Sequence, residues 1–167
     1  MRELKENLVI YLAGLLTLST MGLSAVLDGQ SAGAIRYLAL FFGVSSLGLA
    51  FWPIFTLRQY GRVPSGASYM ETTTVVDQGP FAVVRHPQYL GAMSLNVTFM
   101  LISPHWLIIL VGSSAIMLFY LYARQEEESL VKKFGDEYRV YVGRVPRFNI
   151  ILGVVRWVFS GGGDKQG

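Results

Sequence analysis

Residues 79–91, with the sequence GPFAVVRHPQYLG, place Arg85, His86 and Tyr89 at the start of a long apolar run. The apolar run continues to residue 102. A cation, an imidazole and a phenol at the mouth of a membrane helix are costly unless they face protein, water or a ligand. The stretch therefore predicts a helix that enters a membrane and a functional site at its entrance.

The composition is that of an integral membrane protein. Hydrophobic residues make up 52% of the 167 residues and charged residues only 15%, whereas soluble domains carry about 25% charged residues. The chain has no Cys, which excludes disulfides and a Cys nucleophile. It has two His and no HExxH spacing, so we expect no metal site. The net charge of +3 is modest, and we expect the bilayer rather than a nucleic acid as partner.

Apolar runs predict an all-α, polytopic membrane protein with about four transmembrane helices. A helix needs about 20 apolar residues to span a bilayer. The predicted spans are residues 8–27, 35–57, 89–102 and 105–122, of which the third is the shortest. We divide the chain into an N-terminal transmembrane hairpin, 1–57, and a second region, 58–167, which carries the candidate functional site.

The distribution of basic residues predicts the orientation. With four spans both termini lie on one side, together with every Lys and Arg except Arg36. Cytoplasmic loops carry the excess of positive charge, so the termini, the central loop and the C-terminal tail are predicted to be cytoplasmic. A secretory signal peptide is the alternative for the first span. That span is longer than the apolar core of a signal peptide, which usually has about 7–15 residues, so we expect an uncleaved anchor.

Turn-forming and helix-breaking residues divide the segments between and after the predicted spans. We expect a turn at 28–33, extended chain at 72–76, a break at Ser103-Pro104, and a charged helix that Gly135 interrupts or ends. A short helix would start at Asp136. Residues 150–159 are apolar but too few to span, which predicts a helix at the membrane interface, and the glycine-rich tail at 161–164 should be flexible.

Three polar groups are predicted to converge on the cytoplasmic face. They are residues 85–89, the three glutamates 126–128, and the set Tyr138, Tyr141, Arg144 and Arg147. A helical hairpin places the start of its first helix beside the end of its second. We therefore expect His86 and Tyr89 to lie near Arg124, Glu126 and Glu127. Carboxylates, guanidiniums and aromatic rings together suit a zwitterionic, partly aromatic ligand, a description that many ligands meet.

The order of these motifs resembles a known superfamily. The shared features are Gly79-Pro80-Phe81, Arg85-His86-Pro87, Tyr89, Gly91, Glu126-Glu127, Leu130, Phe134-Gly135, Tyr138, Tyr141 and residues 145–148. In this order, with one hairpin between the halves, they resemble the integral-membrane methyltransferases of the isoprenylcysteine carboxyl methyltransferase and phospholipid methyltransferase superfamily. The resemblance runs from about Asp77 to Phe148, and the first two spans show nothing specific.

The resemblance implies an S-adenosylmethionine site and roles for individual residues. Arg144 corresponds to the arginine at the substrate carboxylate, and Glu127 and Tyr141 complete the implied catalytic set. The residues implied to bind the cofactor are Gly79, His86, Pro87, Tyr89, Leu90, Gly91, Glu126, Glu127 and Tyr138. Glu126 or Glu127 would bind its ribose or amino group.

The sequence leaves alternatives open for the methyl acceptor and for the class of protein. A prenylcysteine-like carboxylate is already ionised at pH 7 and suits Arg144, whereas a lipid amine needs a base such as a free Glu; a thiol also fits. Arg85 and Arg147 could instead bind lipid phosphate or snorkel to the interface. The alternative proteins are a sterol-type membrane reductase that uses NADPH and a non-enzymatic scaffold. The sequence gives no oligomeric state.

Overall fold

A computed structural model describes residues 2–27 and 31–159. These residues form six α-helices, and no β-strand occurs within them. The helices are α1 (Arg2–Val26), α2 (Gly33–Tyr60), α3 (Pro87–Ile102), α4 (Trp106–Phe134), α5 (Asp136–Arg144) and α6 (Ile150–Phe159). The predicted all-helical class is confirmed. The predicted turn at 28–33 lies partly, and the tail at 161–164 wholly, outside the described residues.

Three helices of the described chain are long and apolar enough to cross a membrane. They are Leu8–Val26 in α1, Gly33–Tyr60 and Trp106–Phe134. The third predicted span forms α3, which has 16 residues. At 1.5 Å per residue that is about 24 Å, less than the roughly 30 Å of a bilayer's hydrocarbon core. Within the described residues, three helices long and apolar enough to span and the shorter apolar helix α6 are consistent with the predicted polytopic membrane protein.

The helix boundaries follow local chemistry. Pro87 is the first residue of α3, where a missing N–H leaves no bond unmade. Ser103-Pro104 separates α3 from α4, as predicted. Gly135 has φ +61°, a left-handed conformation that favours glycine, and it separates α4 from α5. The Asn149 side-chain oxygen accepts a hydrogen bond from the Leu152 amide at 3.0 Å and so caps the start of α6.

The chain forms two compact units, each built from separate stretches. Of the described residues, the first unit holds 2–27, 31–48 and 89–126, and the second holds 49–88 and 127–159. The division at residue 57 that we drew from the sequence stays a prediction.

In the first unit, two buried polar side chains of α3 and the segment after it donate hydrogen bonds to α1 and the residue that follows it, whereas the side-chain oxygens of Asn96 and Gln125 are buried without a hydrogen-bond partner in the described part of the chain. Asn96 of α3 donates to the Thr17 hydroxyl of α1 at 3.0 Å, and Ser103 donates to the Leu27 carbonyl at 2.8 Å. Large apolar side chains face outward on α1 and α2, among them Leu18 at 63% and Phe41 at 63% exposure. Apolar surface on this scale is typical of helices that contact lipid.

The second unit has its own core next to the candidate site. Tyr138, Tyr141 and Val145 are its buried members, and the partly buried residues packed against them are Val75, Leu130, Val131, Phe134 and Val142. The predicted extended segment at 72–76 is irregular rather than a strand. The Thr73 amide donates to the Gly61 carbonyl at 2.9 Å, which closes the preceding loop.

Candidate functional site

The segment that precedes α3 is fixed on both sides. Gly79 has φ +56°, and a Cβ there would lie 3.1 Å from the Thr56 hydroxyl oxygen, so this position suits glycine in both conformation and space. A 3₁₀ turn, Gly79–Ala82, follows. The Arg85 amide then donates to the Pro146 carbonyl at 3.0 Å. The backbone of Arg85 is thereby held against the link between α5 and α6.

Glu127 is the centre of a buried ion cluster. Its carboxylate side chain is 11% exposed. Arg147 binds both oxygens, with Nε 2.9 Å from Oε1 and Nη2 2.6 Å from Oε2. Arg85 donates to Oε1 from Nε at 3.0 Å, and its Nη2 lies 2.9 Å from the same oxygen. Two guanidiniums therefore share one carboxylate, an arrangement that leaves the three side chains with one excess positive charge.

His86 contacts the same carboxylate. It is 6% exposed, and its Nε2 lies 3.1 Å from Glu127 Oε1. An ionised carboxylate only accepts, so Nε2 must carry a proton in this contact. The imidazole ring also packs against Phe148, with ring centroids 6.0 Å apart. His86 is thus held in one orientation by a polar and an aromatic neighbour.

Arg85 also caps helix α5. Its Nη1 donates to the carbonyls of Val142 at 3.0 Å and Val145 at 2.6 Å. The last carbonyls of a helix have no partner within the helix and lie at its negative end, so a buried guanidinium there is doubly favourable. The side chain of Arg85 is 8% exposed, which makes it a bridge between Glu127 and α5 rather than a lipid-facing residue.

Tyr138 and Tyr141 lie in the core of the second unit, with 4% and 3% exposure. The Tyr141 hydroxyl donates to the Phe81 carbonyl at 2.7 Å. Burial, and then the neighbouring Tyr138, raise the pKa of the Tyr141 phenol well above its usual range. The phenol therefore stays protonated at physiological pH and acts as a hydrogen-bond donor.

The ion pair that Arg144 forms is separate from the Glu127 cluster. Its Nη2 is 3.1 Å from Asp77 Oδ2, and the two side chains are 60% and 42% exposed. Exposed ion pairs are weak, with a median of about 0–1 kcal/mol. Arg144 is consequently accessible to a second carboxylate.

The structure divides the sequence-predicted residues between the two units. The second unit holds Gly79, His86, Pro87, Glu127, Tyr138, Tyr141 and Arg144. The first unit holds Tyr89, Leu90, Gly91 and Glu126. Within that unit the Tyr89 ring packs against Phe119 and Tyr122, with centroids 6.2 and 5.5 Å apart. Of the predicted contacts, the structure brings together His86 and Glu127.

The sequence did not indicate that Arg85 and Arg147 pair with Glu127. It placed both among the polar groups expected to converge, and made contact with lipid phosphate or snorkelling as suitable for them as a part in the site, whereas in the structure both contact Glu127. A signal was available, because a glutamate next to an apolar span needs compensating charge once it is buried. What the sequence lacked was any indication of which basic residue supplies it. Among the described residues no group of three or more His, Cys, Asp or Glu side chains is arranged to hold a metal ion.

The comparisons with known proteins identify one family. The family model described as phospholipid methyltransferase matches residues 34–137, well over half of the chain. The match begins in α2, earlier than the motif resemblance, so the expectation that neither of the first two spans shows anything specific is wrong for α2. No curated protein and no solved structure matches the chain.

Proposed function

The chain belongs to the phospholipid methyltransferase family, and from this premise we propose that it transfers a methyl group from S-adenosylmethionine to a lipophilic or small acceptor. The observation that carries the proposal is the family match over residues 34–137, which includes two of the three helices long enough to span a membrane. The membrane methyltransferase class follows from the match itself. The cofactor and the acceptor are the proposed part.

The donor set of the second unit fits this cofactor chemically. S-adenosylmethionine combines a carboxylate, an ammonium, ribose hydroxyls and an aromatic base. The guanidiniums that share Glu127 carry excess positive charge suited to a carboxylate, and the glutamate oxygens accept from hydroxyl or ammonium groups. When bound, S-adenosylmethionine supplies an electrophilic methyl group on a positively charged sulfur.

The second-unit residues proposed to hold the cofactor are Gly79, His86, Pro87, Glu127 and Tyr138. Glu127 Oε2 is the oxygen proposed to accept from the cofactor, because it contacts Arg147 whereas Oε1 contacts Arg85, His86 and Arg147. The role of Tyr138 is limited by its burial to shaping the site from behind. Tyr89, Leu90, Gly91 and Glu126 stay proposed cofactor contacts on the strength of the resemblance alone.

Within the second unit the proposed catalytic residues have distinct tasks. Arg144 binds and orients the acceptor, since its ion pair with exposed Asp77 is weak enough to exchange for a substrate carboxylate. Tyr141 holds the Phe81 carbonyl and so fixes the turn before α3. Glu127 orients His86 and Arg147. It is a poor general base, because five nitrogen contacts already stabilise its ionised form.

These tasks favour an acceptor that needs no base. A carboxylate is ionised at pH 7, and orientation in a site matched to its charge supplies much of the acceleration of methyl transfer. An amine acceptor would have to lose a proton, and the carboxylate best placed to take it is already committed to Arg85, His86 and Arg147. We therefore propose a carboxylate acceptor ahead of an amine or a thiol. The termini and the site are proposed to be cytoplasmic, on the basis of the Lys and Arg distribution.

Calorimetry tests the cofactor proposal directly. Detergent-solubilised protein is titrated with adenosylhomocysteine, with NADPH as the parallel ligand. Saturable binding of adenosylhomocysteine alone is the expected result. Binding of NADPH alone would assign the protein to reductase chemistry. Binding of neither by a folded sample would support a scaffold that has kept the fold without the activity.

A methyl-transfer assay then tests the acceptor. The protein is incubated with S-adenosylmethionine labelled in its methyl group and with matched lipophilic acceptors that end in a carboxylate, an amine or a thiol. Label in a base-labile ester is the expected result for the carboxylate. Label confined to the amine or thiol would contradict the acceptor proposal and leave the cofactor proposal standing.

A further inference from the structure

Helix α6 is the most exposed apolar element of the second unit. Its eight large hydrophobic side chains are between 39% and 86% exposed, and Gly153 is its only buried residue. Ten residues rise about 15 Å, half of the roughly 30 Å needed to cross the hydrocarbon core. A helix that is apolar on nearly all sides and too short to span is stable in contact with lipid and not in water.

The one buried residue of α6, Gly153, packs directly against the segment before α3. A Cβ at Gly153 would overlap the Val83 carbonyl oxygen and lie 3.0 Å from Val83 Cγ1. The backbones therefore meet at this point, and only glycine permits the approach. Val83 is two residues before Arg85, whose amide donates to Pro146 on the other side of the same link.

A second attachment holds α6 to the end of α5. Arg156 Nη1 lies 3.2 Å from the Arg144 carbonyl and 3.4 Å from the Gly143 carbonyl. Together with Arg85, it supplies donors to four consecutive carbonyls at the end of α5, those of residues 142–145. The link that carries Arg147 is thus fixed by α5 at one end and by α6 at the other.

The charge of this region fits an anionic lipid surface. Residues 144–159 contain three arginines and no acidic residue; Arg144 and Arg147 pair with Asp77 and Glu127, and Arg156 lies on α6 itself. Basic residues close to an apolar helix are typical of segments that lie in the headgroup region of a membrane, where each contributes about 1 kcal/mol near an anionic surface.

We propose that α6 is an interfacial anchor, which lies in the headgroup region of the bilayer and, through Gly153, holds the Arg147-bearing link against Val83. The partner is the lipid bilayer itself. The consequence is that the position of Arg147 on Glu127 depends on membrane contact at α6. The inference does not require any particular methyl acceptor or cofactor.

Depth-dependent fluorescence quenching tests the placement. The chain has three Trp residues, so Trp52→Phe with Trp106→Phe leaves Trp157 of α6 as the only one. The protein is reconstituted in vesicles of phosphatidylcholine and phosphatidylglycerol, brominated either near the headgroup end or near the methyl end of the acyl chains. Stronger quenching by the shallow bromines is expected. No quenching, or stronger quenching by the deep bromines, would overturn the proposal.

Two glycine substitutions test the contact between Gly153 and Val83. Gly153→Ala is expected to speed amide hydrogen exchange of Arg85 and of residues 147–149 about tenfold or more, because the added methyl group pushes α6 off Val83. Gly143→Ala is the matched control, since a Cβ there meets no atom within 4 Å. Equal rates of amide hydrogen exchange in the two variants would contradict a structural role for the contact between Gly153 and Val83. If Gly153→Ala does not fold, the quenching experiment still decides the placement of α6.

Discussion

Arg147 binds both carboxylate oxygens of Glu127, with Nε 2.9 Å from Oε1 and Nη2 2.6 Å from Oε2. Such paired contacts are among the strongest that an arginine makes, and they fix direction as well as distance. Because Arg85 and His86 contact the same carboxylate, one glutamate joins the segment before α3, the end of α4 and the link after α5.

Glu127→Ala is expected to lower the free energy of unfolding by about 3–5 kcal/mol, because it leaves two buried guanidiniums without their shared counter-charge. The measurement is thermal or denaturant unfolding in detergent. Glu128→Ala is the control, since Glu128 is exposed on the same helix. A loss of stability no larger than that of the control would show that the ion cluster is not structural. Among folded Glu127 variants, wild-type affinity for adenosylhomocysteine would remove Glu127 from the proposed cofactor site.

Arg85→Lys is expected to destabilise the end of α5 selectively. One ammonium cannot reach Glu127 and also the carbonyls of Val142 and Val145, so at least one buried acceptor is left unpaired, at a cost of about 1–3 kcal/mol. Faster hydrogen exchange of the last turn of α5 is the measurement. Arg139→Lys, at a position 69% exposed on the same helix, is the matched control. Unaltered exchange in Arg85→Lys would mean that the cap contributes little.

The helices and their ends were predictable from sequence because local chemistry decides them. Apolar runs indicated α1, α2, α3 and most of α4, and Gly135 marked the boundary between α4 and α5. The family was predictable for a related reason, since its motifs lie at fixed positions around one hairpin. The same hairpin argument placed His86 near Glu127.

The pairing of the arginines was not predictable from sequence. Arg144 and Arg147 are three residues apart at the end of α5 and beyond it, yet one pairs with Asp77 at the surface and the other with buried Glu127. The choice depends on the turn that the chain makes after Val145, where α5 ends in an extended residue with φ −108° and ψ 128°. The contact of Gly153 with Val83 was also not predictable from sequence, because no local pattern indicates which backbone a glycine will approach.

Arg144→Ala is expected to reduce kcat/KM for a carboxylate acceptor roughly 10- to 100-fold, as the loss of a charged hydrogen bond of about 1.5–3 kcal/mol predicts. Affinity for adenosylhomocysteine should change far less. Arg139→Ala serves as control, because it removes an exposed arginine from the same helix. Wild-type turnover in Arg144→Ala would make Arg144 a surface residue that only pairs with Asp77.

The burial of Tyr141 predicts a loss of stability at high pH. Burial raises the pKa of its phenol in the folded state, while in the unfolded state the phenol ionises near its usual value of about 10. The stabilising contribution is therefore complete below about pH 10 and declines as the pH rises above it. Unfolding curves in detergent between neutral pH and pH 11 measure the decline, which should be smaller in Tyr141→Phe and unchanged in Tyr37→Phe, where the side chain is 77% exposed. Identical pH profiles for all three proteins would contradict the assignment.

The proposed orientation is testable because the chain has no Cys, so each introduced thiol is the only one present. Ser65→Cys lies in the central loop and Ala34→Cys in the first turn of α2, and both positions are exposed. The positive-inside rule predicts that a membrane-impermeant maleimide labels Ala34→Cys in intact cells and labels Ser65→Cys only after permeabilisation. The reverse pattern would place the central loop outside, and the proposed cytoplasmic cofactor site would be wrong with it. Labelling of both in intact cells would put the loop and the first hairpin on one side, which would mean that α2 does not cross the membrane.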